Sequence, residues 1–272
     1  MLARLPSNAG DLIAASRIAA PEARSLLACA LGVARESLIA QPQRDVGPAP
    51  ASHFRDLCAR RLAGEPMAYL LGQREFFGRQ FRVDRSVLIP RPETECLVDQ
   101  ALDLLTGLAG PSLLDLGTGC GCIAITLALE RPDAVAWATD VSDQALDVAR
   151  ANAATLGAVV TFLNADWYGA ALGRFDLLVS NPPYIAADDP HLAALGEEPL
   201  LALTDDGDGL SCLRAIIAQA SGHLSERGVL LVEHGYDQGS AVRALMQQNG
   251  LRSIQTRNDL AGIERMCLAR RR

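Results

Sequence analysis

Ser112-Leu113-Leu114-Asp115-Leu116-Gly117-Thr118-Gly119-Cys120-Gly121 is the stretch whose reading decides the fold. Its first half is a short apolar run, the composition of a strand buried on both faces of a parallel sheet. Its second half repeats glycine at alternate positions, which lets the backbone turn sharply and approach a ligand closely. The apolar segment from Cys122 to Glu130 follows as a helix. Strand, glycine turn and helix open a βαβ unit. The spacing is G-x-G-x-G and not the G-x-G-x-x-G of dinucleotide-binding turns, so no pyrophosphate cradle is implied.

Toward the C-terminus the alternation continues. A strand from Val135 to Thr139 ends in Asp140, about 20 residues past the glycine turn, where a carboxylate can accept both hydroxyls of a ribose. As a helix cap Asp140 is less well placed than Ser142, which precedes a helix from Asp143 to Thr155. A strand from Val159 to Leu163 leads to Asp166 and Trp167, an acid and an indole suited to the amine and the face of an adenine. The fourth strand, Phe175 to Ser180, runs into Asn181-Pro182-Pro183-Tyr184. Gly207-Asp208-Gly209-Leu210 precedes a helix reaching His223; Val229 to Glu233 is a strand and Ser240 to Gln248 a helix. Two last strands cover about 251–256 and 264–269. This pattern predicts an α/β, doubly wound sheet.

Two consecutive prolines lack a ladder N–H, so the fourth strand must end in a stiff, extended turn at its carboxyl end. That edge of an open α/β sheet is where ligands bind. The turn carries one side-chain amide (Asn181), the Pro182 carbonyl and one aromatic ring (Tyr184). A planar group bearing –NH2 suits it, giving its two N–H bonds to two carbonyl acceptors and lying against the ring. The plainer alternative is a strand-ending turn with Asn181 as a local cap.

The first 72 residues are rich in alanine, leucine and arginine with apolar positions near helical spacing. Pro21-Glu22 marks a helix start and Gly32 a stop; residues 41–50 read as a linker, and Ser52 as the cap of a helix over His53 to Ala63. A packing aid and a docking module both remain open for this part. Between 73 and 92, Phe76, Phe77, Phe81, Val83, Val87, Leu88 and Ile89, broken by Gly78 and Asp84, predict a β-hairpin. Pro90 to Glu95 then opens a helix to about Leu105.

Composition narrows the chemistry. With 49% hydrophobic and 21% charged residues the chain can bury a core, and its net charge of −7 lacks the basic excess that gripping a nucleic-acid backbone requires. All 25 cationic side chains are arginine, which removes Schiff-base lysines and the P-loop lysine. The seven cysteines have no zinc-ligand spacing and the four histidines stand apart, so no metal is expected. No basic segment leads into a long apolar run, and a soluble, cytoplasmic protein with reduced thiols is expected.

The ordered trio of Asp-Leu-Gly-Thr-Gly-x-Gly from Asp115, the acid Asp140 and Asn-Pro-Pro-Tyr from Asn181 resembles the class I S-adenosylmethionine-dependent methyltransferases. That resemblance implies seven strands, the last antiparallel, and S-adenosyl-L-methionine as cofactor. It places the cofactor along Gly117, Thr118, Gly119, Cys120 and Gly121, with Asp140 at the ribose, Asp166 and Trp167 at the adenine, and Asn181 alongside. The flanking stretches Arg74-Glu75-Phe76-Phe77-Gly78, Leu88 to Glu95, Val179 to Ile185, Glu198-Pro199-Leu200, Asp208-Gly209-Leu210 and Glu233-His234-Gly235 resemble the release factor glutamine methyltransferases (the HemK/PrmC family). The likeness covers nearly the whole chain. The related enzyme acting on a large-subunit ribosomal protein usually has Arg-Ser-Pro where this chain has Arg91-Pro92-Glu93. Position 120, often Thr or Ser in the family, is Cys, and the stretch before Glu198 is shorter than usual.

What the resemblance implies is methylation of the glutamine in the Gly-Gly-Gln motif of peptide-chain release factors. Asn181 and Pro182 would take the two amide protons, Tyr184 would pack against the amide plane, and Pro183 would bind the substrate with them. Residues 1–72 would be a helical substrate-docking domain, 73–92 a hairpin linker and 93–272 the catalytic domain of a monomer with no nucleic-acid or membrane partner. The rivals are a nucleic-acid adenine N6-methyltransferase, which needs a recognition domain or basic channel, and a non-catalytic cofactor-binding scaffold.

Overall fold

The computed structural model describes residues 8–169 and 173–272, so the helical reading of residues 1–7 falls outside it. The chain divides into two compact units, the first ending at Gln73 and the second beginning at Arg74.

The first unit is built from α1 (Ala9–Ala15), α2 (Ala20–Leu31), α3 (Arg35–Ala40), α4 (Pro48–Leu62) and α5 (Met67–Leu71). Pro21 sits in the first turn of α2, where a missing N–H costs nothing, and Gly32 closes the helix at φ +63°. Leu26, Leu27, Leu38, Phe54 and Leu57 form its core. Arg61 of α4 pairs with Glu22 of α2 at 2.9 Å, both partly exposed at the surface. The expected linker ends earlier than predicted: α4 begins at Pro48, and Ser52 lies inside its first turns. Pro48 and Pro50 occupy positions whose N–H groups have no intrahelical acceptor, so both are accommodated.

Starting at the last residue of the first unit, β1 (Gln73–Phe76) and β2 (Arg79–Arg82) form the hairpin, shorter than the predicted span to 92. Val83, Val87 and Ile89 are buried from a non-strand segment. Asp84 accepts from the Ser86 N–H and folds the chain away from the ladder, and Pro90 and Pro92 cannot extend it. There the apolar pattern records core contact, not strand pairing.

There follow α6 (Glu93–Leu105), β3 (Ser112–Leu116), α7 (Cys122–Glu130), β4 (Val135–Asp140), α8 (Asp143–Leu156), β5 (Val160–Asn164), β6 (Phe175–Ser180), α9 (Ser211–His223), β7 (Leu224–Glu233), α10 (Gly239–Gln248), β8 (Arg252–Asn258) and β9 (Glu264–Arg270). Seven strands form one sheet in the order β5-β4-β3-β6-β7-β9-β8, and β9 runs antiparallel to both neighbours. This is the doubly wound sheet expected. Leu114, Leu116, Leu178, Leu230 and Val232 pack with Leu213, Ile216 and Ile217 of α9 and Val242 and Met246 of α10. The two-residue period sends Leu113, Asp115, Leu177, Val179 and Leu231 to the opposite face.

From β3 the chain steps outward to β4 and β5, then returns to place β6 on the other side of β3. That reversal is the topological switch point, and it opens a crevice at the strands' carboxyl ends. Leu113 pairs with Leu177 and Asp115 with Val179, so the glycine turn and the Asn181 turn leave adjacent strands side by side.

Candidate active site

A cavity of about 690 Å3 lies at this edge. Gly117, Thr118, Gly119, Cys120, Asp140, Asp166, Trp167, Asn181 and Pro183 line it. Gly121, Pro182 and Tyr184 do not.

The glycine turn is held from below. The Gly117 and Thr118 N–H groups both donate to the Thr139 carbonyl at 2.9 Å, tying the turn to the end of β4. Asp115, fully buried, accepts from the Thr118 hydroxyl at 2.6 Å and from the Ala124 N–H at 3.2 Å through one oxygen, while its other oxygen has no partner. Burial pushes this carboxyl up to about 7, against the pull of the two donors. Thr118 therefore tethers the turn instead of offering its hydroxyl to a ligand. Gly117 adopts φ +72°, and a Cβ there would lie 3.3 Å from the Trp167 ring. Gly121 has a packing role: its Cβ would meet Ile125 and Ala149, so it lets α7 and α8 close up.

Asp140 uses both oxygens, accepting from the Gly119 N–H at 2.8 Å and from the Ser142 N–H at 2.9 Å. Burial pushes the pKa of its carboxyl above the usual carboxylate value, and those backbone donors oppose the rise. Each oxygen keeps a further lone pair, and Asp140 lines the cavity. Trp167 sits at φ +54°, a conformation costly for an aromatic residue, with its carbonyl taken by the Thr139 hydroxyl at 2.7 Å. Asp166 is exposed at the cavity rim.

Across the crevice, the Asn181 side-chain N–H donates to the Thr94 hydroxyl at 3.0 Å. Its amide oxygen is thereby turned away from Thr94, and Asn181 is among the residues that line the cavity. Pro182 is buried, and among the described residues no donor reaches its carbonyl. Tyr184 is placed differently from expectation. Its ring packs on the sheet core, and its hydroxyl donates to Glu233 at 3.1 Å. The Gln238 amide bridges the carbonyls of Tyr184 and Gly209 at 2.9 and 3.1 Å, fixing the exit of the turn.

Several neighbours of the site have no role assigned to them from the sequence. Asn152 of α8 accepts from the Arg82 N–H and donates to the carbonyls of Arg82 and Cys120, joining hairpin to glycine turn. Arg91, at the cavity, pairs with buried Glu198, which also accepts from the Ile89 N–H. Thr94 and Glu233 lie inside stretches quoted above for their family likeness, but nothing in spacing joins them to Asn181. Among the described residues no group of histidine, cysteine and carboxylate side chains is arranged to hold a metal ion.

The arrangement defines a class. A glycine turn, with an acid closing the next strand, at the switch point of a seven-stranded sheet is what a class I methyltransferase domain presents. The Methyltransferase small domain family matches residues 94–198, and the PrmC N-terminal domain family matches residues 8–72. Solved structures share the fold: the hMettl16 catalytic domain (TM-score 0.59, 21% identity, 79% of this chain and 82% of that one) and RsmC of T. Thermophilus, solved with AdoMet and guanosine (TM-score 0.54, 18% identity, 74% of this chain and 50% of that one).

The sequence relatives are more specific. The release factor glutamine methyltransferase of Burkholderia pseudomallei is 51% identical over 96% of this chain and 95% of its own. That of Bordetella pertussis is 52% identical over 94% and 96%. The chain belongs to the release factor glutamine methyltransferase family.

Proposed function

We propose that this chain transfers a methyl group from S-adenosyl-L-methionine to the side-chain amide nitrogen (N5) of the glutamine in the Gly-Gly-Gln motif of peptide-chain release factors. The observation that carries this reading is the orientation of Asn181. With its N–H on Thr94, its oxygen is left to accept, and the neighbouring Pro182 carbonyl, which no described donor reaches, would be the second acceptor that a primary amide needs.

The cavity fits the cofactor. Its volume lies in the usual range for a small-molecule site, Gly119 has open space where a Cβ would stand, and Asp140 keeps acceptor capacity beside it. Asp140 would hold the ribose hydroxyls, Trp167 and Asp166 the adenine, and Gly117 to Cys120 the methionine end. Bound there, the cofactor supplies an electrophilic methyl group on a sulfonium.

The protein's own task is alignment and acceptance. An amide nitrogen is a poor nucleophile because its lone pair is delocalised into the carbonyl. Asn181 and Pro182 orient that nitrogen in line, and their hydrogen bonds strengthen as it becomes cationic. No general base is required at the turn, since the proton leaves after transfer. Pro183 keeps the turn extended, and Tyr184 anchors it from the core side. A tripeptide offers little area for recognition, whereas a specific protein contact takes about 800 Å2 from each partner. Residues 1–72 are proposed to supply much of that docking surface.

The test is incubation with labelled cofactor and a recombinant release factor, followed by mapping of the label. Label on the Gly-Gly-Gln glutamine, abolished in Asn181→Ala, is the expected result. Label on a ribosomal protein or a nucleic-acid base and none on the release factor would replace this reading.

A further inference from the structure

We propose that Glu233 is a positioning residue which, through the hydroxyl of Thr94, holds the Asn181 amide with its oxygen toward the cavity. The inference rests on the reading of Asn181 given above.

Glu233 is the last residue of β7, next to β6, and is 1% exposed. One oxygen accepts from the Tyr184 hydroxyl; the other is buried and has no hydrogen-bond partner. A solitary buried carboxylate oxygen is costly, and it survives only where something else requires the group. Thr94, in the first turn of α6 and 2% exposed, lies on the same side. Its hydroxyl is near enough to favour the charged form of Glu233, without closing a bond of ordinary geometry.

The polarity of the chain of groups follows from counting protons. The Thr94 oxygen accepts from Asn181, so its single proton must be donated elsewhere. Among the described residues no backbone carbonyl takes it, and the open Glu233 oxygen is the acceptor on that side. With Glu233 ionised, Thr94 points its proton at the carboxylate and a lone pair at Asn181. Asn181 then shows N–H to Thr94 and oxygen to the cavity. A proton on that Glu233 oxygen reverses the relay. Thr94 would turn its own proton toward Asn181, the amide would flip, and a donor would face the substrate nitrogen in place of an acceptor.

The groups around Glu233 set where this happens. Burial pushes its carboxyl up to about 7, and Glu93 of α6 adds to the rise. Thr94, Tyr184 and Arg265 of β9 oppose it. Arg91 and Arg265 both act on Tyr184, whose phenol is pushed up by burial and by Glu233. His234, adjacent in sequence, is buried with its ring held below the usual histidine value. The ionised, working form of Glu233 is therefore gained as pH rises through about 7.

The experiment measures single-turnover methyl transfer to a recombinant release factor from pH 5.5 to 9, with cofactor affinity by calorimetry. Wild type, Glu233→Gln, Thr94→Val, Thr94→Ser and Asn181→Ala are compared. The wild-type rate is expected to rise along a one-proton limb centred near pH 7. Glu233→Gln, which puts a donor at one oxygen, should lower the rate about 10- to 100-fold and abolish the limb, the loss usual for an outer-shell partner. Thr94→Val should match it, Thr94→Ser should restore the rate to within about 3-fold, and cofactor affinity should change by less than about 3-fold in all three. If Glu233→Gln does not fold, the Thr94 pair decides.

A wild-type rate in Thr94→Val, or a limb near pH 7 that survives Glu233→Gln, overturns the inference. If Asn181→Ala is inactive in the same series, the proposed reaction stands without it. A wild-type rate in Asn181→Ala would overturn both.

Discussion

Asp140→Ala tests the cofactor side of the crevice. The carboxylate holds the Gly119 and Ser142 N–H groups at 2.8 and 2.9 Å, and the proposed ribose contact would be added to these. Hydrogen bonds to a charged acceptor contribute about 1.5–3 kcal/mol each. Water replaces the backbone contacts in part, because Asp140 is only half-buried. Counting one ligand bond as uncompensated predicts about a 10- to 100-fold loss of cofactor affinity, and a loosened Gly119 moves the value toward the upper end.

Asp140→Asn sharpens the test, because it keeps the shape and one oxygen. Its NH2 must then face an N–H of either Gly119 or Ser142, a donor against a donor. The expected affinity lies with the alanine variant and not midway to wild type. Titration calorimetry with S-adenosyl-L-methionine measures both. Unchanged affinity in Asp140→Ala would remove Asp140 from the site; near-wild-type affinity in Asp140→Asn would mean that the two backbone bonds do not hold the turn.

Gly209→Ala places a Cβ against the Tyr184 carbonyl and 2.9 Å from the Gln238 amide, at φ +74°. Left-handed backbone costs a non-glycine residue roughly 1–2 kcal/mol, so a lower Tm and a lower kcat with unchanged cofactor affinity are expected from calorimetry and turnover. Removing residues 1–72 should raise KM for intact release factor and leave cofactor binding unchanged; equal losses on a Gly-Gly-Gln peptide, with the truncated chain shown to melt cooperatively, would assign the helices to active-site support. Asp115 and Glu233 both titrate near 7 in the folded chain, so the native state holds more protons than the unfolded one below that pH, and stability falls as pH rises. His234, held low, works the other way but is one group against two. A net loss of about 2 kcal/mol from pH 5.5 to 8, several degrees in Tm, should appear in thermal melts; a Tm that rises over this range would contradict the burial of the two acids.

The sheet was legible because its strands are apolar and end in turn chemistry. Phe175 to Ser180 and Cys122 to Glu130 occur with the boundaries predicted, since prolines close one and a glycine opens the other. Residues 83–92 misled because burial alone makes an apolar pattern, and strand pairing is a separate condition. The 41–50 segment misled for the opposite reason, as Pro48 and Pro50 look like helix breakers and in fact occupy a helix's first turn. In the sequence Tyr184 points to the substrate, because aromatic rings suit planar groups. Its hydroxyl found a buried acid that lies 49 positions further along the chain. Thr94, Asn181 and Glu233 belong to a helix, a turn and a strand end that only the folded sheet brings together, so no local pattern joins them.

The two ligand-side turns share a construction that explains their cost. The glycine turn stands over Asp115 and the Asn181 turn over Glu233, each a fully buried carboxyl with one oxygen partnered and the other not. Two such acids subtract from stability at neutral pH, a loss that apolar side chains would remove only if the groups donating to each acid were replaced with it. A rigid turn needs only packing, which leucine or valine supplies. A turn that must present a particular lone pair needs a polar group beneath it with a fixed direction of donation. Thr118 on Asp115 and Tyr184 on Glu233 both donate downward, which leaves the upper surface of each turn to accept. A carboxylate is the only ordinary side chain that accepts at every position and donates at none. Substituting either acid alone by an apolar residue would strand the donors it accepts from, the Thr118 hydroxyl and Ala124 N–H at Asp115 or the Tyr184 hydroxyl at Glu233, so Tm and turnover should both fall, whereas Glu233→Leu combined with Tyr184→Phe should recover Tm at pH 8 without recovering turnover.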